Sequence, residues 1–279
     1  MLWYKLIALG INGKFLKGIQ SMYVNVQYSV MINGYMTDMF DVNMGVTQGC
    51  KLSPTLFSIY INDLVNVINS LNAGIPIDDT NMVSILLYAD DVVLLAPDEE
   101  SLQRMLNVVN DWCKKWRLCL NFDNTKVVHF RCSSVSRTTF SFHCGSTVVD
   151  YDSKYRYLGM WINERLDWKF TVTEVRKSAS RALSALYNKF IACGGMDYSV
   201  YIQLYENLVQ PILLYGSGIW GLSEHKKLEV VQNRACRYFL GAYKNSSNLA
   251  TRGDMGLSSV KTKQNIEVLR LFFKNKQSR

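Results

Sequence analysis

Residues 86–96 read LLYADDVVLLA, and they place two adjacent aspartates, Asp90 and Asp91, between two apolar, β-rich runs at 83–88 and 92–96. A buried strand has no use for two charges at its midpoint. Carboxylates on neighbouring strand residues point to opposite faces, whereas at a tight turn both reach the tip. One reading is a hairpin whose turn happens to contain aspartate, a common turn residue. Two-residue hairpin turns favour glycine, however, and this stretch has none. The other reading is chemical. Hard divalent cations take oxygen ligands, and a pair of such ions stabilises the attacking and leaving oxygens of phosphoryl transfer.

Upstream, residues 2–9 and 12–27 read as two helices broken at Gly10 and Gly13. The runs YSVMING and YMTDMFDVN flank Asn33 and Gly34, a strong hairpin signal. GVTQGCKLSP at 45–54 is a tight loop. Pro54 fits the first turn of a helix running to about residue 71, with Ser53 as its N-cap. Downstream, acids follow Pro97 and Lys114, Lys115 and Arg117 close the same segment, matching the macrodipole of a helix over 97–118. Trp112 and Trp116, four residues apart, read as core packing. Short strands are expected at 126–131, 139–144 and 156–162. From about residue 170 the pattern turns helical, at 170–192, 198–215, 225–242 and 261–279, with Gly194, Gly195 and GSGIWG as separators. The chain therefore reads as α+β, with an α+β part over 1–168 and an all-helical part over 169–279.

Composition sets the frame. At 279 residues and 48% apolar content the chain can bury a real core. A charged fraction of 19% is too low for a disordered chain. The net charge of +8 suits a polyanionic partner. Seven cysteines without a CxxC pair read as reduced thiols, mostly core fillers, in an intracellular protein. His129, His143 and His225 lie far apart and form no zinc spacing. No apolar run is long enough for a membrane span.

The ordered set GVTQGCKLSPTLF (45–57), YADDVVLLA (88–96), LNFDNTK (120–126) and YLG (157–159) resembles motifs B, C, D and E of reverse transcriptases, in particular those of non-LTR (LINE-type, jockey-like) retrotransposons. The later VQPILLYGSGIWG and VQNRACRYFLG are similar to the thumb and following segment of these elements. The resemblance covers nearly the whole chain. It implies a partial polymerase palm, an antiparallel sheet with helices, followed by a helical thumb. It also implies metal-dependent nucleotidyl transfer, an RNA-directed DNA polymerase activity with an RNA template, a DNA primer and deoxynucleoside triphosphates. No membrane and no obligate protein partner are implied.

Residue by residue, the resemblance makes Asp90 the catalytic Mg²⁺ ligand and Asp91 its neighbour in a two-metal site. Tyr88 and Ala89 lie under the primer end. Gly45, Gln48 and Gly49 shape the loop beneath the templating base, where glycine admits close backbone approach. Lys126 is the motif D lysine, a proton donor to departing pyrophosphate, against a plain reading as a solvated strand residue. Tyr157, Leu158 and Gly159 form the primer grip. The basic stretches 176–181 and 226–237, with Tyr187, Tyr205 and Tyr238, are candidates to track a template–primer backbone.

The family's third carboxylate, from motif A, lies ahead of a helix like residues 2–9. Asp38 and Asp41 sit in the hairpin before motif B and read as surface residues. The expectation is therefore a truncated copy, inactive alone, whose metal site is incomplete and whose apolar 92–95 edge is exposed. The alternative is a non-catalytic nucleic-acid-binding remnant. An intracellular location, nuclear or cytoplasmic, accompanies either reading.

Overall fold

In a computed structural model, residues 1–42 and 45–277 are described. The ends of two expected runs, at Asn43 and Arg279, lie outside them. Two compact units form, one from Met1–Val127 with Thr138–Asp150, the other from Val128–Arg137 with Tyr151–Arg279. The fold is α+β. Its strands pair antiparallel, as expected, in six two-stranded ladders among the described residues.

In the first unit, helices Leu2–Ala8 and Gly13–Ser21 pack Leu6, Leu16 and Ile19 against Leu56 of the Ser53–Ile61 helix. The second helix stops at Ser21, short of the expected 27. Val24 and Val26 are β-branched and Asn25 adopts φ 54°, so the chain passes into the Gln27–Tyr28 strand. Asn33 and Gly34 do form the tight hairpin, at φ 51° and 85°. The helix expected from 53 to 71 is two helices, Ser53–Ile61 and Asp63–Asn69. Ser53 does not cap: its hydroxyl donates back to the Thr47 carbonyl at 2.7 Å, and Leu52 occupies the N-cap position.

The Glu99–Trp116 helix carries the main core of this unit. Asp98 caps it by accepting from the Ser101 N–H at 2.8 Å. Met105, Val109, Trp112, Cys113 and Trp116 form its buried stripe, so both tryptophans are core. Ile68, Ala73 and Ile85 pack into the same cluster. No strand covers 126–131; Val127 makes an isolated bridge whose N–H donates to the Asp150 carbonyl at 2.9 Å. Phe142–Cys144 pairs with Thr147–Val149 and is tied to the long helix by Gln103, whose side chain bonds both backbone groups of His143.

In the second unit, the single strand expected at 156–162 is a hairpin, Lys154–Tyr157 paired with Met160–Asn163. Its Glu164 end is gripped by Arg131 at 2.9 Å and Arg137 at 2.6 Å. The rest is helical. Lys169–Ala192, Tyr198–Leu204, Gln210–Leu214, Ser217–Trp220 and Lys226–Leu240 bury Leu183, Tyr201, Tyr205, Leu213, Trp220 and Leu228 together. A π-helical turn, Tyr205–Val209, joins the second and third of these. Asn248–Asp254 is a further helix that the sequence pattern missed, and Val260–Gln277 is the last. No helix among the described residues is long and apolar enough to cross a membrane. The cysteines are all free, but only Cys113, Cys144 and Cys236 are buried. Most are therefore not core fillers.

Candidate functional site

The aspartates occupy a tight hairpin. Ile85–Tyr88 pairs antiparallel with Asp91–Leu94, and the last pair is Tyr88 with Asp91. Only Ala89 and Asp90 remain for the turn. Ala89 takes φ 51°, the left-handed region that glycine was expected to supply. For alanine this costs about 1–2 kcal/mol, and strain of this kind gathers at functional sites. The hairpin reading and the chemical reading are thus compatible: the turn exists, and it is held without its easiest residue.

Burial explains how. Ile85, Leu87 and Leu94 share one face and pack into the Glu99–Trp116 core. Leu86, Tyr88, Val93 and Asp91 share the other by strand alternation. Tyr88 is 63% exposed, and Asp90 and Asp91 are both exposed. The expected apolar edge at 92–95 is only partly open: Val92 is exposed, whereas Val93, Leu94 and Leu95 are half-buried.

Two exposed carboxylates at a hairpin tip are a fair donor set for Mg²⁺, which keeps several waters and is held by one or two carboxylates plus substrate phosphates. Among the described residues, no three His, Cys, Asp or Glu side chains gather as a cluster able to hold a metal ion. Asp41 accepts from the Gln27 amide at 2.9 Å in its own ladder, and Asp38 is exposed beside it.

The loop before the Ser53–Ile61 helix is built on its glycines. Gly45 and Gly49 take φ 88° and 87°. Nothing lies within contact distance of a Cβ at either position, so backbone conformation rather than crowding demands glycine. Gln48 between them is exposed. The Thr47 carbonyl accepts from the Cys50 N–H and from the Ser53 hydroxyl, and Val46 packs on the Leu6–Leu56 cluster. Backbone hydrogen bonding, first from Leu52, holds the Cys50 thiol below its usual range.

Lys126 is not a free strand residue. Its ammonium pairs with Asp150 at 2.9 Å, the lysine mostly covered and the aspartate 71% exposed. Leu158 and Gly159 form the turn of the Lys154–Asn163 hairpin, at φ 46° and 81°, with Tyr157 paired to Met160. The Leu158 carbonyl accepts from the Tyr215 hydroxyl. Tyr215 was not singled out in the sequence, and no local signal marks a partner 57 residues away.

The aromatic residues beside the basic helices pack inward rather than towards solvent. Tyr205 is fully buried, its hydroxyl donating to Gln232 at 3.2 Å. Burial raises its pKa well above the usual phenol range. Tyr187 and Tyr238 stack on each other, 3.9 Å between centroids. A readable signal was missed in the charges. The second unit holds 22 Lys and Arg against 10 Asp and Glu, and the first holds 9 against 13. The whole basic surplus of the protein lies in the helical unit, and the acidic hairpin lies in the other.

The profile of the family described as reverse transcriptase (RNA-dependent DNA polymerase) matches residues 1–162. Among curated proteins, the chain is 28% identical over 202 residues to the "Probable RNA-directed DNA polymerase from transposon BS" of Drosophila melanogaster, covering 69% of this chain and 22% of that protein. It is 24% identical over 257 residues to the RNA-directed DNA polymerase from mobile element jockey of Drosophila funebris, covering 86% of this chain and 26% of the relative. The chain thus spans about a quarter of the length of these relatives. The chain belongs to the reverse transcriptase (RNA-dependent DNA polymerase) family, and the relatives it is similar to include polymerases of jockey-like mobile elements.

Proposed function

We propose that this chain carries the metal-binding hairpin and primer-facing elements of an RNA-directed DNA polymerase that extends a DNA primer on an RNA template. The observation that carries the reading is the Tyr88–Asp91 hairpin, which presents two exposed carboxylates on a strained turn anchored in a hydrophobic core. In this reading Asp90 and Asp91 hold Mg²⁺, with substrate phosphates and water filling the remaining positions. The ion would neutralise charge on the attacking and leaving oxygens.

The chain's own residues do the rest. Tyr88 and Ala89 sit under the primer end, and Gly45, Gln48 and Gly49 line the templating base. Tyr157, Leu158 and Gly159 hold the primer strand. Lys126 protonates the departing pyrophosphate. Its pairing with Asp150 is consistent with that role, because a bridge to so exposed a carboxylate is worth at most about 1 kcal/mol and exchanges readily for a phosphate. The concentration of positive charge in the helical unit supports contact with the template–primer backbone.

That same charge distribution favours a second reading, a non-catalytic nucleic-acid-binding protein. One experiment separates them: binding and extension of a DNA primer on an RNA template with deoxynucleoside triphosphates and Mg²⁺. The polymerase reading expects Mg²⁺-dependent extension that falls by about 100-fold or more in Asp90→Asn. Salt-sensitive binding without extension, indifferent to Asp90 and Asp91, selects the second reading. Neither binding nor extension removes both.

A further inference from the structure

We propose that Tyr215 is a positioning residue for the Leu158–Gly159 turn, fixing the backbone that the polymerase reading above assigns to the primer grip. The turn needs such support. Leu158 stands at φ 46°, a conformation that leucine adopts only at a cost. Gly159 follows at φ 81°. Two left-handed residues in succession suit the twist of a hairpin, yet asparagine, aspartate and glycine, not leucine, are the residues that fill such turns.

Tyr215 supplies the missing restraint in two ways. Its hydroxyl donates to the Leu158 carbonyl, fixing the peptide plane inside the turn. Its ring fills the space that a side chain at Gly159 would need: a Cβ there would stand 3.3 Å from Cε1 and 3.4 Å from the hydroxyl. The next pair is closer still. A Cβ on Gly216, itself at φ 67°, would stand 2.0 Å from the Met160 sulfur. Gly159 therefore lies against the Tyr215 ring and the Met160 side chain against Gly216, and the positive φ at both glycines adds to the crowding in disfavouring a side chain.

Tyr215 is itself well held. Its carbonyl accepts from the Trp220 indole N–H at 3.0 Å, and Trp220 is fully buried in the helical core. The returning strand of the hairpin is tied separately, by the Thr171 hydroxyl donating to the Trp161 carbonyl. The tip of the hairpin thus reports on the helical core through Tyr215. The ring is also half-exposed, so burial alone does not account for its placement.

The test combines a structural and a functional readout on this chain. Tyr215→Phe keeps the ring and removes the hydroxyl. Amide hydrogen exchange at the 154–163 hairpin is expected to speed up by about fivefold to tenfold, the worth of one hydrogen bond. The dissociation constant for an RNA–DNA template–primer should rise severalfold. In extension assays the KM for template–primer should rise while kcat stays within about twofold. Gly159→Ala should reproduce the faster exchange at the hairpin, and the double variant should fall short of additivity in that readout.

Unchanged exchange at the hairpin overturns the restraint. Faster exchange with unaltered template–primer affinity, in a chain that binds, overturns the positioning role. A wild-type chain that neither binds nor extends template–primer removes the polymerase reading and the role with it. In that case the exchange data still report whether Tyr215 holds the turn.

Discussion

Tyr88 and Asp91 face each other as the closing pair of the aspartate hairpin, and the turn between them runs through Ala89 at φ 51°. The aromatic ring and the carboxylate lie on the outer face of the ladder, while Ile85, Leu87 and Leu94 fix its inner face to the core. The strain is therefore sustained by the closing pair together with packing below the turn.

Replacing Ala89 by glycine removes that strain. Ala89→Gly is expected to stabilise the first unit by up to about 1 kcal/mol, because the left-handed penalty exceeds the added chain entropy. The check is the urea midpoint at constant m-value. A lower midpoint would mean that Ala89 makes contacts worth more than its backbone costs. If the polymerase reading holds, the same variant should weaken extension, since the turn loses its fixed aim.

The Asp78 carboxylate predicts an acid limb of the stability profile. It accepts from the Thr80 and Asn81 N–H groups and from the Asn81 side-chain amide, closing the turn between Ile75–Pro76 and Met82–Val83. These bonds, the Asn81 amide first, lower its pKa from 3.8 to about 2. The unfolded chain then takes up this proton before the folded one does. The stabilisation is complete above pH 3.8 and is lost as the pH falls towards 2. Comparing wild type with Asp78→Ala across pH 2 to 5 should show a gap in midpoint that closes at the acid end. A gap independent of pH would count against the turn geometry.

Much of this was legible in the residues, and the failures have physical causes. The aspartate hairpin, the Asn33 and Gly34 turn and the Glu99–Trp116 helix each carry agreeing local signals: β-rich runs, a turn dipeptide, an acidic start and a basic end. The Lys154–Asn163 hairpin was read as one strand because Leu158 is not a turn residue. The hydroxyl that bonds inside its turn comes from Tyr215, 57 residues away, and such distant contacts leave no local trace. Ser53 looked like a cap because serine before proline usually is one, but the Thr47 carbonyl claimed its hydroxyl. The roles of Lys126 and of the glycine loop rest on resemblance, since geometry alone shows a salt bridge and an open loop.

Lys5 ties its own helix to three others of the first unit. Its ammonium donates to the Tyr60 carbonyl and to Asp63 at 2.6 Å, and it lies 3.7 Å from the centre of the Trp116 ring. Tyr60 and Trp112 complete the enclosure at 4.7 and 4.8 Å. Burial lowers the Lys5 pKa, with Asp63 opposing. Lys5→Ala should cost about 2–3 kcal/mol, the sum of lost cation–π contact and an orphaned carbonyl. Lys5→Met, which keeps the stem packed against the rings, should cost less. Denaturant titration of both variants checks the order; equal losses would assign the whole effect to charge.

Two glycines should respond to alanine with opposite signs. Gly18 lies exposed within the Gly13–Ser21 helix, and a Cβ there meets nothing within 4 Å. Gly18→Ala should stabilise by about 0.5–1 kcal/mol through reduced chain entropy. Gly74 is buried where the Asp63–Asn69 helix gives way to the Ile75–Pro76 strand. A Cβ there would stand 2.6 Å from the Val83 carbonyl oxygen and 2.4 Å from the Ser84 hydroxyl. The hydroxyl can rotate away, but the carbonyl cannot, because Val83 is paired with Ile75 in the ladder. Relief must come from backbone movement beside Ala73 and Ile85, which belong to the core beneath the aspartate hairpin. Gly74→Ala should therefore cost about 1–3 kcal/mol. Thermal unfolding of the two variants side by side decides the point, since a stabilised Gly74→Ala would mean that the ladder yields, and with it the platform that holds Asp90 and Asp91.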